Sequence, residues 1–178
     1  MAFKPDAATP SAVAENDRID YEPFDFEALR WRVGTRCFIC ELLAGNPEFR
    51  HHVFYENDIA VAFLNKYPNL YGYSLVAPKQ HREAVTADFA RDEYLALQAV
   101  VYRVGEAVRQ TVPTERLYIL SLGSQQGNRH LHWHVVPLPP GVPFEEQQLA
   151  ALSRPARLRI SEDEMDELAQ RLSEAMKD

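Results

Sequence analysis

The chain is poor in cysteine, in long apolar runs and in excess positive charge, and each shortage excludes a class of protein. Two cysteines, Cys37 and Cys40, stand in 178 residues, too few for a secreted scaffold stapled by disulfides. No apolar run approaches the ~20 residues that a membrane helix needs. Met1-Ala2-Phe3-Lys4-Pro5-Asp6 lacks the apolar core of a signal peptide. The expectation is a cytoplasmic protein of one ordinary domain, long enough to bury a core. The net charge of −7 argues against a nucleic-acid binder, which would show a basic face.

Acidic residues are also missing locally. The 24 residues from Ile59 to Arg82 and the 29 from Arg116 to Phe144 contain no Asp or Glu. Proportional placement would put about eight there. Those stretches carry Lys66, Lys79, Arg82, Arg116 and Arg129 instead. Buried strands avoid acids in any case, but loops at 65–72 and 123–129 have no such reason. The pattern favours an anionic ligand, which carboxylates repel and N–H groups attract.

Among what is present, the run His130-Leu131-His132-Trp133-His134-Val135-Val136-Pro137 is the most informative. In an extended strand, period two would put the three histidines on one face and Leu131, Trp133 and Val135 on the other. Imidazoles in register offer nucleophiles, proton carriers and metal ligands. Just upstream, Gln125 and Asn128 can donate to phosphate oxygens, and Gly127 permits close backbone approach. Cys37-Phe38-Ile39-Cys40 is a separate signal. Two thiolates at that spacing can chelate one Zn²⁺, which then needs two more ligands; a redox pair and two buried thiols are the alternatives. His51 and His52 are adjacent, would face opposite ways in a strand, and read as surface residues.

Periodicity and turn signals give a coarse order of elements. Residues 1–20 read as a mobile N-terminal arm. Phe24 to Trp31 suits a helical turn or two, and Phe38 to Ala44 a short helix stopped by Gly45. Val53–Glu56 and Ile59–Asn65 read as a hairpin, and Ser74–Pro78 as a further strand. Asp88 to Val112 is a long helix with Phe89, Leu95, Val100, Val101, Val104 and Val108 as its apolar positions. Leu117–Leu122 and Leu131–Leu138 are two more strands. Ser161-Glu162-Asp163-Glu164 opens a helix running to about Met176. This is α+β: a mostly antiparallel five-stranded sheet, one long helix and helical additions at both ends. The expected division is an arm over 1–20, a catalytic domain over 21–144 and a C-terminal helical extension over 145–178.

His130-x-His132-x-His134 followed by two valines and Pro137 resembles the histidine-triad (HIT) family of nucleotide hydrolases and transferases. Ala62-Phe63-Leu64-Asn65-Lys66-Tyr67-Pro68, Gly72, and Leu75-Val76-Ala77-Pro78-Lys79-Gln80-His81 look like that family's nucleoside-binding half. The resemblance covers roughly Cys37 to Pro139 and implies the same α+β fold. It implies that His132 is the nucleophile and that His134 binds phosphoryl oxygens and escorts the leaving group. Asn65 falls where the family binds ribose hydroxyls, and Asn there resembles the diadenosine-polyphosphate hydrolase branch. Phe63 and Leu64 then pack either on a base or in the strand core. The loop before the triad is shorter than the family's usual one and leaves room for Arg129 as a phosphate contact. Many zinc-containing bacterial members pair an N-terminal CxxC with the histidine after Pro-Lys-x and with the first triad histidine. That pairing implies a structural zinc on Cys37, Cys40, His81 and His130.

The resemblance therefore implies an enzyme that cleaves a phosphoanhydride bond of a dinucleoside polyphosphate through a nucleotidyl-histidine. Its partner would be a small nucleotide substrate, with no nucleic acid or membrane, and the chain would pair as a homodimer. A nucleoside phosphoramidase, a nucleotidyltransferase or phosphorylase, and a nucleotide-binding regulatory module are the competing readings.

Overall fold

The computed structural model describes residues 20–122, 129–153 and 155–177. Along the chain, β1 (Tyr21–Pro23) leads into α1 (Phe26–Val33) and α2 (Phe38–Leu43). Strands β2 (Val53–Glu56), β3 (Ala60–Leu64) and β4 (Ser74–Pro78) follow, then the long helix α3 (Arg91–Thr111). Strands β5 (Arg116–Leu120) and β6 (Trp133–Leu138) close the central region. A short helix α4 (Leu149–Leu152), strand β7 (Ala156–Leu158) and helix α5 (Glu162–Ala175) form the C-terminal part. Among the described residues, no helix is long and apolar enough to cross a membrane.

The main sheet is five-stranded and antiparallel, in the order β2-β3-β4-β6-β5. Every residue of β3 and β4 is buried, because both faces of the sheet are covered. Ala60, Ala62 and Leu64 face α3 and α5, in one core with Leu97, Val100, Val104, Val108, Leu168 and Leu172. Val61 and Phe63 face the other way, against Ile39 of α2 and Leu75 and Ala77 of β4. Each large aliphatic side chain buried in this way contributes roughly 1.5–3 kcal/mol. Two-sided burial also accounts for much of the missing acid in these strands, since an unpaired carboxylate there would be costly.

Most expected elements are present with shifted ends. The long helix starts at Arg91 rather than Asp88, because Asp88 turns its carboxylate onto the backbone N–H groups of Glu83 and Ala84 (2.7 and 2.9 Å). Leu95 lies on the exposed face of α3, and Leu97 takes the buried position. Strand β6 starts at Trp133, so His130 and His132 precede it. Gly45, at φ +74°, follows α2 as a stop. Ser161 Oγ accepts from Glu164 N (3.2 Å) and opens α5.

The terminal parts contain the expected helices and add a strand pair: Tyr21, Glu22 and Pro23 of β1 lie against Leu158, Arg157 and Ala156 of β7. Such a pairing between segments over 130 positions apart leaves no local signature in either three-residue strand.

Gly72 shapes the turn that brings the chain into β4. Its φ is +83°, and a Cβ there would sit 2.9 Å from Val112 Cγ2 and 3.3 Å from Pro137 Cγ. Gly72→Ala combines a left-handed backbone with overpacking. We expect it to cost about 2–4 kcal/mol, read as a lower urea midpoint with unchanged slope.

Candidate functional site

The triad region lies on the α2 side of the sheet. Leu131, Trp133 and Val135 enter the core under α3, so the alternation expected along the run holds. His132 and His134 are turned the other way, with ring centroids 4.8 Å apart. His134 pairs with Leu75 across β4 and with Leu120 across β5. His130 is fully buried.

The hydrogen bonds assign the two outward histidines opposite tautomers. His132 Nδ1 lies 2.8 Å from the His130 carbonyl oxygen, which can only accept. Nδ1 therefore carries the proton, and Nε2 keeps its lone pair. His134 Nδ1 lies 2.7 Å from the Tyr73 hydroxyl. Tyr73 has no other hydrogen-bond acceptor among the described residues, so its O–H donates to Nδ1 and His134 presents Nε2–H. Burial pushes the Tyr73 hydroxyl well above its ordinary range and keeps it protonated. Burial lowers His132 below 6.5 and carries His134 down to about 3, with the neighbouring His132 adding to the second shift. Both rings are neutral at physiological pH. One offers an electron pair and the other an N–H, side by side.

Around this pair stands an aromatic wall. Phe38 of α2 lies edge-on to His132 (6.0 Å) and to Phe63 (6.2 Å), and stacks on His51 (5.4 Å). Ser121 Oγ donates to the His132 carbonyl (3.0 Å) and fixes the backbone from the β5 side. Phe63 is wholly buried on the site side, while Leu64 belongs to the core beneath α3.

Asn65 follows β3. Its side-chain Oδ1 accepts from Tyr67 N (2.9 Å), and its own N–H donates to Tyr73 O (2.8 Å). The Asn65 loop is thereby tied to the residue that holds His134. Gln125, Gly127 and Asn128 lie outside the described residues. Arg129 is exposed immediately before His130.

A second cluster adjoins the first. Cys37, Cys40, His81 and His130 bring one donor atom each within 4.8 Å of one another. Cys40 Sγ lies 3.2 Å from His81 Nδ1 and 3.5 Å from His130 Nδ1, and Cys37 Sγ lies 3.5 Å from His130 Nδ1. A tetrahedral zinc with ordinary bond lengths has a sulfur–nitrogen edge of about 3.6 Å. The tautomers fit as well. His130 Nε2 donates to the Pro78 carbonyl (2.8 Å) and His81 Nε2 to the Glu83 carboxylate (3.3 Å). Both rings therefore turn an unprotonated Nδ1 toward the thiols, the outer-shell arrangement of metal-binding histidines. Burial, with Cys37 alongside, raises the Cys40 thiol to about 11, so a bound cation would have to displace its proton.

Two expectations change. His51 and His52 are half-buried rather than surface residues: His51 joins the aromatic wall, and His52 lies between Glu162 (3.3 Å) and Asp166 (2.9 Å) of α5. Two of the five cations in the acid-free stretches are neutralised by carboxylates, while Arg129 stands exposed beside His130. Lys79 pairs with Glu56 at 2.6 Å and Arg82 with Glu93 at 3.6 Å. Carboxylates missing from the local sequence arrive from neighbouring elements. Tyr73, Ser121, Phe38 and His51 were not singled out as site residues from sequence. Tyr73 shares the face of Leu75, opposite His134, but only the strand pairing exposes that relation.

The model of the HIT domain family matches residues 46–140. The chain belongs to the HIT family. An uncharacterised HIT-like protein of Saccharolobus solfataricus is 31% identical over 104 residues, which cover 57% of this chain and 73% of that protein. A hypothetical histidine triad nucleotide-binding protein of Sulfolobus tokodaii superposes with a TM-score of 0.63 at 27% identity, covering 79% of this chain and 92% of that one. A zinc-bound histidine triad family protein of Mycobacterium smegmatis shares the fold with a TM-score of 0.63 at 23% identity, covering 81% and 96%. The HIT domain thus accounts for the region from β2 through β6, and both terminal parts lie outside the matched residues.

The depressed His134 has a direct thermodynamic consequence. The unfolded chain takes up this proton near pH 6.5, and the folded chain only near 3. Stability from the neutral ring is present above 6.5 and is lost as pH falls toward the folded value, by about 1.4 kcal/mol per pH unit for this one group. His134→Asn should flatten the fall of unfolding free energy between pH 6.5 and 4.5 by about that slope. An unchanged pH dependence in matched urea titrations would refute the assignment.

Proposed function

We propose that this HIT protein is a nucleotide hydrolase or transferase that cleaves a phosphoanhydride bond of a dinucleoside polyphosphate. The observation that carries the reading is the opposite tautomer of two neighbouring neutral imidazoles. His132 Nε2 attacks the phosphorus, forming a P–N bond as the P–O bond to the leaving nucleoside polyphosphate breaks. His134 Nε2–H donates to the phosphoryl or leaving oxygen, where charge develops. Water then attacks the nucleotidyl-imidazole, the P–N bond breaks, and nucleoside monophosphate leaves with His132 neutral again. The His130 carbonyl stabilises the Nδ1–H of the charged imidazole during the covalent stage. Asn65 binds the ribose, and Gln125, Gly127 and Asn128 contribute phosphate contacts.

The test uses diadenosine tetraphosphate with product identification. His132→Asn should keep the fold and lose turnover by about 10³-fold or more, as removal of a covalent nucleophile does. His134→Asn should lose less, about 10²–10³-fold. Near-normal turnover in His132→Asn would refute the assignment of roles.

We further propose that Cys37, Cys40, His81 and His130 hold a structural zinc. The donor chemistry and tautomers described above support it, as does the zinc-bound neighbour of the same fold. A zinc ion bound there would cross-link α2, the segment after β4 and the entry to β6. Purified protein should carry about one zinc per chain, measured by mass spectrometry of the metal. Cys37→Ser with Cys40→Ser should abolish it and lower thermal stability. Wild-type protein that is metal-free and fully stable would refute the proposal.

A further inference from the structure

Four consecutive residues of the loop after Asn65 are each held by a terminal part of the chain. Tyr67 stacks on Phe24 with centroids 4.9 Å apart and planes 26° from parallel. The Arg157 guanidinium lies over both rings, 5.2 Å from Tyr67 and 5.5 Å from Phe24, and pairs with Glu22. Pro68 O accepts from Leu158 N (2.7 Å). Asn69 O accepts from the Tyr21 hydroxyl (3.2 Å), and Asn69 Nδ2 donates to the carbonyls of Ala151 (2.8 Å) and Leu152 (3.1 Å). Leu70 packs with Ala151 and Leu152. The partners come from β1, the residue after it, α4 and β7, all outside residues 46–140.

The loop in turn fixes Asn65. Its Oδ1 is occupied by the Tyr67 N–H, so the amide cannot flip without losing that bond, and Nδ2 is the group left to donate. Asn65 Nδ2 makes no hydrogen bond among the described residues. The orientation of Asn65 thus depends on where Tyr67 sits, and Tyr67 packs against both Phe24 and Arg157.

We propose that the paired terminal segments are a brace for the ribose site, with Phe24 and Arg157 as positioning residues that act on Asn65 through Tyr67. The inference rests on the nucleotide reading above. It adds that ribose recognition in this chain is set by segments outside the HIT domain proper. Cation–π and stacking contacts at a half-exposed site are worth enough to bias a loop without being needed for the fold.

The experiment measures calorimetric affinity of the full chain for AMP and for 2′,3′-dideoxy-AMP, which lacks both ribose hydroxyls. Wild type should favour AMP by about tenfold, the scale of one good hydrogen bond. Phe24→Ala and Arg157→Gln should each reduce that preference to about twofold or less, with the affinity for 2′,3′-dideoxy-AMP unchanged. Arg157→Lys, which keeps a cation over the rings, should restore part of it. The double variant should lose no more than either single one, because both act through Tyr67. Tyr21→Phe removes one hydroxyl and leaves the packing intact, so it reports on the brace even if the larger changes unfold the protein. It should lower the preference by a smaller factor.

A parallel loss for both nucleotides, or a preference that survives every variant, would overturn the brace and leave the nucleotide site standing. Wild type that binds both nucleotides equally would overturn the role of Asn65 and the brace with it. Wild type that binds neither would overturn the nucleotide reading as well.

Discussion

The position of His130 is the constraint on which the rest of the site depends. Its ring is fully buried, and a buried imidazole is costly unless its polar atoms are satisfied. Nε2 donates to the Pro78 carbonyl at the end of β4, while Nδ1 faces the two thiols of the α2 segment. The backbone carbonyl of the same residue takes the Nδ1 proton of His132. Three parts of the chain thus meet at one residue, which sets the nitrogen that His132 leaves open. Had β6 continued regularly through His130 to the paired strands on both sides, this carbonyl would have been drawn toward a ladder partner. The start of β6 at Trp133 frees it for the histidine two residues on.

His134 is held from the other side by an equivalent logic with the opposite sense. A hydroxyl donor, Tyr73, meets its Nδ1 and forces the proton to Nε2. The Gly72 turn, closed against Val112 and Pro137, aims Tyr73 at that ring. The sheet therefore does more than carry the histidines. Its partial burial of both rings disfavours their charged forms, which keeps them neutral, and its register decides which backbone or side-chain group each ring meets.

The sequence made the order of elements legible because each depends on local periodicity or turn chemistry. Glycine at 45 and the Ser161 cap are local signals that held. The alternation of His132 and His134 against Leu131, Trp133 and Val135 was equally legible, and the CxxC pointed to its cluster once His81 and His130 were considered. What sequence hid is what depends on pairing across the fold. Tyr73 is one of eight tyrosines, and nothing local marks it as the partner of His134. Lys79 and Arg82 appeared free because their carboxylates, Glu56 and Glu93, lie on other elements. The β1–β7 pair was hidden for the same reason. That pairing ties residues 21–23 to residues 156–158, a link no local pattern carries.

The charge balance of the site bears on how it would stabilise a phosphoryl group. Lys79 and Arg82 are answered by carboxylates and the triad rings are neutral, so at the two outward histidines an anion would meet oriented N–H groups, with Arg129 exposed just before His130 as the nearby cation. On the proposed reading this suits a covalent route. A cation beside His132 would oppose the positive charge that its ring acquires when Nε2 bonds to phosphorus, whereas a carbonyl on Nδ1–H stabilises it. Neutral donors also strengthen in a water-poor setting without the desolvation cost of burying an ion. On the same proposed reading, an amide at position 65, pinned through Oδ1, would offer the ribose a donor and add no charge. The site's selectivity for a nucleotide over a bare anion would then lie in the geometry of that amide, which the two ends of the chain hold together.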